Sequence, residues 1–185
     1  MKRTFIAIKI KPGDHIITFL NMAKKILKSE SIKWVEENNL HLTLQFLGKT
    51  DEKTINSIIT LLDTISSRFI SGKFKVEGVG IFKKNRIPKI IWLDIKMTDS
   101  FYNMQKEIAE STKLFGFSPS NSVFKAHLTI GRIKFIKNTN QLSSLIKDFE
   151  NYNFGEFPVK SFQFYESILT PKGPIYKLIR EFELK

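Results

Sequence analysis

The feature that most constrains this chain is an internal repeat. The tripeptide His-Leu-Thr occurs at 41–43 and again at 127–129, so the two copies start 86 residues apart. Sliding the chain on itself by 86 residues brings its patterned segments into register along almost the whole length, although few individual residues match. The strand-like RTFIAIKI (3–10) falls on KIIWLDIK (89–96). The helix-periodic DHIITFLNMAKKILK (14–28), with Ile16, Phe19, Leu20, Ala23 and Leu27 on one face, falls on DSFYNMQKEIAESTKLF (99–115), with Phe101, Met104, Ile108 and Phe115. HLTLQFLG (41–48) falls on HLTIGRIK (127–134), two short β-rich runs. A second helix follows each, one carrying Ile55, Ile58, Ile59, Leu62 and Ile65, the other Leu142, Leu145, Ile146 and Phe149. KFKVEGVGIF (73–82) then matches VKSFQFYESI (159–168), and IYKLIREFEL (175–184) reads as a third copy of the opening strand.

The predicted order is β-α-β-α-β-β-α-β-α-β-β, with no Pro- or Ser-rich linker between the halves. It implies an α+β fold of two pseudo-symmetric lobes, each an antiparallel sheet with helices on one face, and an active-site cleft between them. Residues 1–185 form a single bilobal domain on this reading, with the strands at both chain ends in one lobe, where they can pair. Expected helix caps are Asp14, Asp99, Asp51 or Thr50, and Thr139. WVEEN (34–38) reads as a short lead-in strand, with a vague counterpart in SNSVF (120–124).

In a strand, side chains at i and i+2 share a face. His41 and Thr43 therefore point one way and Leu42 and Leu44 the other; His127 and Thr129 oppose Leu128 and Ile130 in the same manner. The apolar side suits a core under helices, which leaves the His-Thr side for solvent or a cleft. If a pseudo-two-fold axis relates the lobes, two imidazoles flank one point with two hydroxyls beside them. Histidine titrates near pH 6.5, so one ring can serve as a neutral base while the other is a cationic acid. A cyclic phosphodiester needs that pair: one group to deprotonate water, one to protonate the leaving ribose oxygen. Thr43 and Thr129 can donate to the non-bridging oxygens.

A lone histidine on a strand is usually no more than a polar face residue. Two copies of the motif, in register, in a chain with three histidines weigh against that. His15 serves as a control, since its repeat partner is Phe101 and no threonine stands two residues after it. A metal site is the competing chemistry, but no HxH, HExxH or HxD pattern is present, the chain has no cysteine, and threonine is a poor ligand. No metal and no cofactor are expected.

The balance of charge fits a polyanion. Thirty Lys and Arg against 18 Asp and Glu leave a formal charge of +12, which suits nucleic acid, anionic lipid or a phosphorylated small molecule. The N-terminus begins basic and then apolar, as a signal peptide does, but FIAI is too short, and Lys9 and Lys11 break the apolar character of the next few residues. No apolar run approaches the roughly 18 residues of a membrane span. A cytoplasmic monomer without a membrane segment is the expectation.

ENNLHLTLQFLG, FKAHLTIGRIK and the C-terminal LTPKGPIY resemble the two-histidine phosphoesterases, and more closely the RNA 2′,3′-cyclic phosphodiesterases, historically called 2′-5′ RNA ligases. The resemblance spans essentially the full chain. It implies a bilobal fold with a central cleft, and metal-free hydrolysis of a 2′,3′-cyclic phosphate RNA end, typically to a 2′-phosphate. Some members join ends through a 2′-5′ linkage in reverse. It further implies that His41 is the proton donor and His127 the proton acceptor, an order the near-identical motifs themselves leave open. Five residues after each histidine stand Phe46 and Arg132, which the resemblance assigns to base stacking and phosphate contact. Strict alternation would put both on the face opposite the histidines, and a strand end or a bulge would reconcile the two; a core aromatic is the competing reading of Phe46. Lys83, Lys84, Arg86 and Lys172, in two corresponding basic loops, are candidates for a nucleic-acid track or else solvated hairpin tips. A phosphodiesterase for small cyclic nucleotides, or an RNA-end binder without turnover, are the alternative functions.

Overall fold

The computed structural model describes residues 1–117, 123–171 and 173–185. In chain order the elements are β1 (Lys2–Lys9), α1 (Asp14–Ile26), β2 (Ser31–Trp34), β3 (His41–Thr50), α2 (Glu52–Ser66), β4 (Gly72–Lys84), β5 (Ile87–Lys96), α3 (Asp99–Thr112), β6 (His127–Phe135), α4 (Thr139–Asp148), β7 (Asn153–Val159), β8 (Ser161–Thr170) and β9 (Gly173–Glu183). The strands form one curled sheet in the order β7-β4-β5-β6-β3-β1-β8-β9, with β2 added beside β6, and every pairing is antiparallel.

The repeat is visible in that order. From the centre outward one half runs β3, β1, β8, β9 and the other β6, β5, β4, β7. The two halves meet at a single residue pair, Leu42 opposite Leu128. The α+β class with two antiparallel lobes is as expected, but the lobes are halves of one continuous sheet. The two motifs are therefore neighbours on adjacent strands.

The helices cover one face. Their buried stripes are Ile16, Phe19, Leu20 and Ala23 on α1, Ile55, Ile58 and Leu62 on α2, Phe101, Met104 and Ile108 on α3, and Leu142 and Leu145 on α4. Leu42 and Leu128 are fully buried beneath them, and burial of a leucine side chain contributes about 1.5–3 kcal/mol. The seam between the halves is thus pinned from the core side, which forces His41, Thr43, His127 and Thr129 onto the open face.

Several details differ from expectation. The first and last strands share a half but do not pair, because β8 lies between them. β7 is a strand that the sequence pattern does not predict. Its Gly155 has φ +108 and its ladder slips between Gly155 and Asn153, which breaks the alternation, while Pro158 is tolerated because the strand lies at the sheet edge. β2 begins three residues before WVEEN, and residues 37–39 form a 3₁₀ turn. The SNSVF segment falls partly outside the described residues. Asp51 caps α2 by accepting from the Thr54 N–H, as expected. Gly13 and Thr98 occupy the cap positions of α1 and α3, with Asp14 and Asp99 in the first turns. Asn138, not Thr139, caps α4, accepting from the N–H groups of Asn140 and Gln141.

Candidate active site

The two histidines are held in the same way. The Nδ1 of His41 lies 2.6 Å from the carbonyl oxygen of Asn39, and that of His127 lies 2.7 Å from the carbonyl oxygen of Lys125. A carbonyl only accepts, so each ring carries its proton on Nδ1 and keeps Nε2 free for chemistry. Aromatic rings brace both imidazoles. Phe5 and Tyr176 each lie 5.1 Å from His41 between centroids, and Phe82 meets His127 edge-on at 4.8 Å.

Both histidines have their pKa lowered. For His41 burial is the largest cause, opposed by the bond to Asn39 and reinforced by the charges of Arg132 and His127. For His127 burial again leads, opposed by the Lys125 carbonyl; Arg132 and the Lys125 ammonium lower it further, and Asp94 acts in the other direction. Arg132 thus projects its charge onto both rings. A bound phosphate anion would offset that charge and return proton affinity to the pair.

A hollow of about 400 Å³ opens over the seam, lined by His41, Thr43, His127, Thr129, Arg132 and Tyr176 among others. A second, of about 840 Å³, adjoins it on the other side, where Phe46, Phe82, Phe124 and Lys125 join Thr43 and His127. Antiparallel pairing centred on Leu42 and Leu128 sets His41 beside Thr129 and Thr43 beside His127. Two imidazoles and two hydroxyls therefore converge where the hollows meet.

The positions of Phe46 and Arg132 depend on a matched pair of bulges. In β3, Thr43 pairs with Ala7 and Gln45 with Ile6, so Leu44 is an extra residue. In β6, Thr129 pairs with Trp92 and Gly131 with Ile91, so Ile130 is extra. The two bulged positions are repeat partners. Each shifts the alternation by one: Leu44 and Gln45 are both buried, as are Ile130 and Gly131, and the next residue emerges on the histidine face. Phe46 is accordingly 49% exposed and is no core residue, with the Arg3 guanidinium 4.8 Å above its ring.

Other candidates fall elsewhere. Lys83 and Lys84 end β4, and Arg86 sits with Asn85 at the β4–β5 tip, both at positive φ; none of these lines either hollow. Lys172 lies outside the described residues. His15 is on α1, with its Nδ1 3.2 Å from the Tyr152 hydroxyl, away from both hollows. Among the described residues no group of three His, Asp or Glu side chains is arranged to hold a metal ion, and no helix is long and apolar enough to cross a membrane. Sequence reasoning missed Lys33, Trp34, Asn39 and Tyr176 as lining residues. Tyr176 belongs to the LTPKGPIY phrase, which carries no role for it, and Asn39 contributes through its backbone, which leaves no side-chain signal.

The sequence model of the LigT-like phosphoesterases matches the chain twice in succession, over residues 8–92 and 94–176, so the matches start 86 residues apart, as the repeat does. A protein of Methanocaldococcus jannaschii named RNA 2′,3′-cyclic phosphodiesterase is 36% identical, covering 97% of this chain and 99% of its own. Proteins of the same name from Archaeoglobus fulgidus (35%; 98% and 99%) and Thermotoga maritima (36%; 99% and 96%) are similar to the same extent. Among solved structures, TT0787 of Thermus thermophilus superposes with TM-score 0.80 at 24% identity over 98% of this chain and 97% of that one. E. coli LigT complexed with 3′-AMP does so with TM-score 0.77 at 19% over 100% and 98%. These two likenesses concern the fold. With both halves matched and full-length relatives above 30% identity, the chain belongs to the LigT-like phosphoesterase family.

Proposed function

We propose that this chain is an RNA 2′,3′-cyclic phosphodiesterase that opens the cyclic phosphate to a 2′-phosphomonoester by two-histidine acid–base catalysis. The observation that carries the reading is the pairing of Leu42 with Leu128, which sets His41 and His127, both with free Nε2 atoms, around one hollow. The name shared by the full-length relatives supplies the substrate class.

In the proposed reaction His127 Nε2 takes a proton from water, whose oxygen bonds to phosphorus as the P–O3′ bond breaks. His41, protonated on Nε2, gives its proton to the departing O3′. The cycle ends with His41 neutral and His127 cationic, and exchange with solvent restores both. Thr43 and Thr129 donate hydrogen bonds to the non-bridging oxygens. Arg132 binds phosphate, and Phe46 stacks on a base. The roles of proton donor for His41 and acceptor for His127 follow the family resemblance; their surroundings lower both pKa values and do not order them. The working unit in this proposal is a cytoplasmic monomer that needs no metal.

The test is turnover of an RNA ending in a 2′,3′-cyclic phosphate, in EDTA, by the wild type, His41→Ala and His127→Ala. The expected outcome is a 2′-phosphate product from the wild type and a fall of about 10³-fold or more in each variant. Dependence on an added metal, full activity in either variant, or tight binding without product would refute it.

A further inference from the structure

Gln105 is out of keeping with its place. It lies on α3 among the buried Phe101, Met104, Ile108 and Ala109, and is only 8% exposed. Its Nε2 donates to the carbonyl oxygen of Leu44 at 3.0 Å, across 61 residues of sequence. Leu44 is the bulged residue of β3. A bulge takes a backbone group off the ladder, and a buried carbonyl left without a partner costs as much as a lost hydrogen bond.

The other half meets the same need by a different route. The carbonyl of Ile130, the bulged residue of β6, accepts from the backbone N–H of Val35 at 2.9 Å, just past the end of β2. The repeat partner of Gln105 is Phe19, an apolar residue. The β6 bulge is therefore held by a neighbouring strand, and the β3 bulge by a single side-chain amide. Without the bulge, alternation would turn Phe46 toward the core and Gln45 toward the cleft, because a slip of one residue exchanges faces. Gln105 and Phe46 also border the same hollow.

We propose that Gln105 is a positioning residue for substrate recognition: its amide holds the Leu44 bulge and thereby keeps Phe46 facing the cleft. The inference rests on the reading of Phe46 as a base-stacking residue. It assigns Gln105 no contact with the reacting atoms, so its loss should act on binding and leave the chemical step alone.

The experiment compares wild type, Phe46→Ala, Gln105→Leu and the double variant on two substrates. One is an RNA with a 2′,3′-cyclic phosphate end; the other is ribose 2′,3′-cyclic phosphate, which has no base. Each single variant should raise KM for the RNA about tenfold at unchanged kcat. The double variant should be no worse than Phe46→Ala, and KM for the baseless substrate should not move. Gln105→Glu keeps the shape but sets a carboxylate against the Leu44 carbonyl. Its KM, relative to wild type at the same pH, should recover as pH falls from about 7 to about 5 and the carboxyl gains a proton with which to donate. Backbone amide NMR shifts of Gln105→Leu should change at residues 43–47.

A normal KM in Gln105→Leu, multiplicative effects in the double variant, or unchanged shifts at 43–47 would each overturn the role of Gln105. An inert Phe46→Ala would instead overturn the base-stacking reading, and the link to substrate with it. The NMR shifts report on the bulge independently of activity, so the two failures are told apart.

Discussion

The two halves of the sheet carry the same chemical device in frames that match closely at the centre and diverge one bulge further out. His41 and His127 each donate a hydrogen bond to the carbonyl two residues back, each has a threonine two residues on, and each is followed by a bulge at the same repeat position. Beyond the bulge the symmetry ends. One half presents Phe46 and the other Arg132, and they border different hollows. The bulged carbonyls are also satisfied differently, by the Gln105 side chain in one half and the Val35 backbone in the other. The comparison separates two tasks. In the proposed function the symmetric positions supply an acid, a base and two hydroxyls around one phosphate, and the asymmetric positions give the cleft a direction, with Phe46 at one end and Arg132 at the other.

Substitutions can break that division of labour. The largest effect is expected at the symmetric histidines, where either alanine variant should lower kcat/KM about 10³-fold or more. Next come Thr43→Val and Thr129→Val, each expected to cost about 10²-fold in kcat, as loss of one transition-state donor does. If the hydroxyls act alike, the two losses will be equal within a few-fold, and a large disparity would show that the symmetry does not extend to phosphate binding. The asymmetric pair should then split. Arg132→Met should weaken binding of every cyclic phosphate about tenfold to a hundredfold and flatten the salt dependence, because it removes the charge proposed to bind phosphate. Phe46→Ala should cost about tenfold in KM, and only for substrates that carry a base. Measuring all four variants on RNA and on a baseless cyclic phosphate separates these cases.

Much of this arrangement is legible in the residues. The 86-residue register locates both motifs, and the odd five-residue spacing from His41 to Phe46 and from His127 to Arg132 calls for a strand end or a bulge; the structure has the bulge, at Leu44 and Ile130. The features that stay hidden depend on partners distant in sequence. The meeting of the motifs on adjacent strands comes from one long-range pair, Leu42 with Leu128, which no local pattern encodes. β7 is hidden because Gly155 and Pro158 read as loop residues, and only its edge position makes them acceptable. Tyr176 joins the site because β9 folds back on β8 and brings it against His41. Gln105 looks like an ordinary polar residue of a helix until its partner 61 residues away is known.

The proposed acid–base pair is tested most directly by the pH dependence of kcat/KM for the wild type and both single histidine variants. Burial and the Arg132 charge lower both histidines from 6.5, so each gives up its proton at a lower pH than a free imidazole. The wild-type profile should therefore be a bell whose two limbs both lie below about pH 6.5. Residual activity in His127→Ala should have lost the acid limb, and in His41→Ala the basic limb. A wild-type rate that still climbs above about pH 6.5 would contradict the lowered pKa values, and a bell that survives in either variant would contradict the pairing of these two histidines on one phosphate.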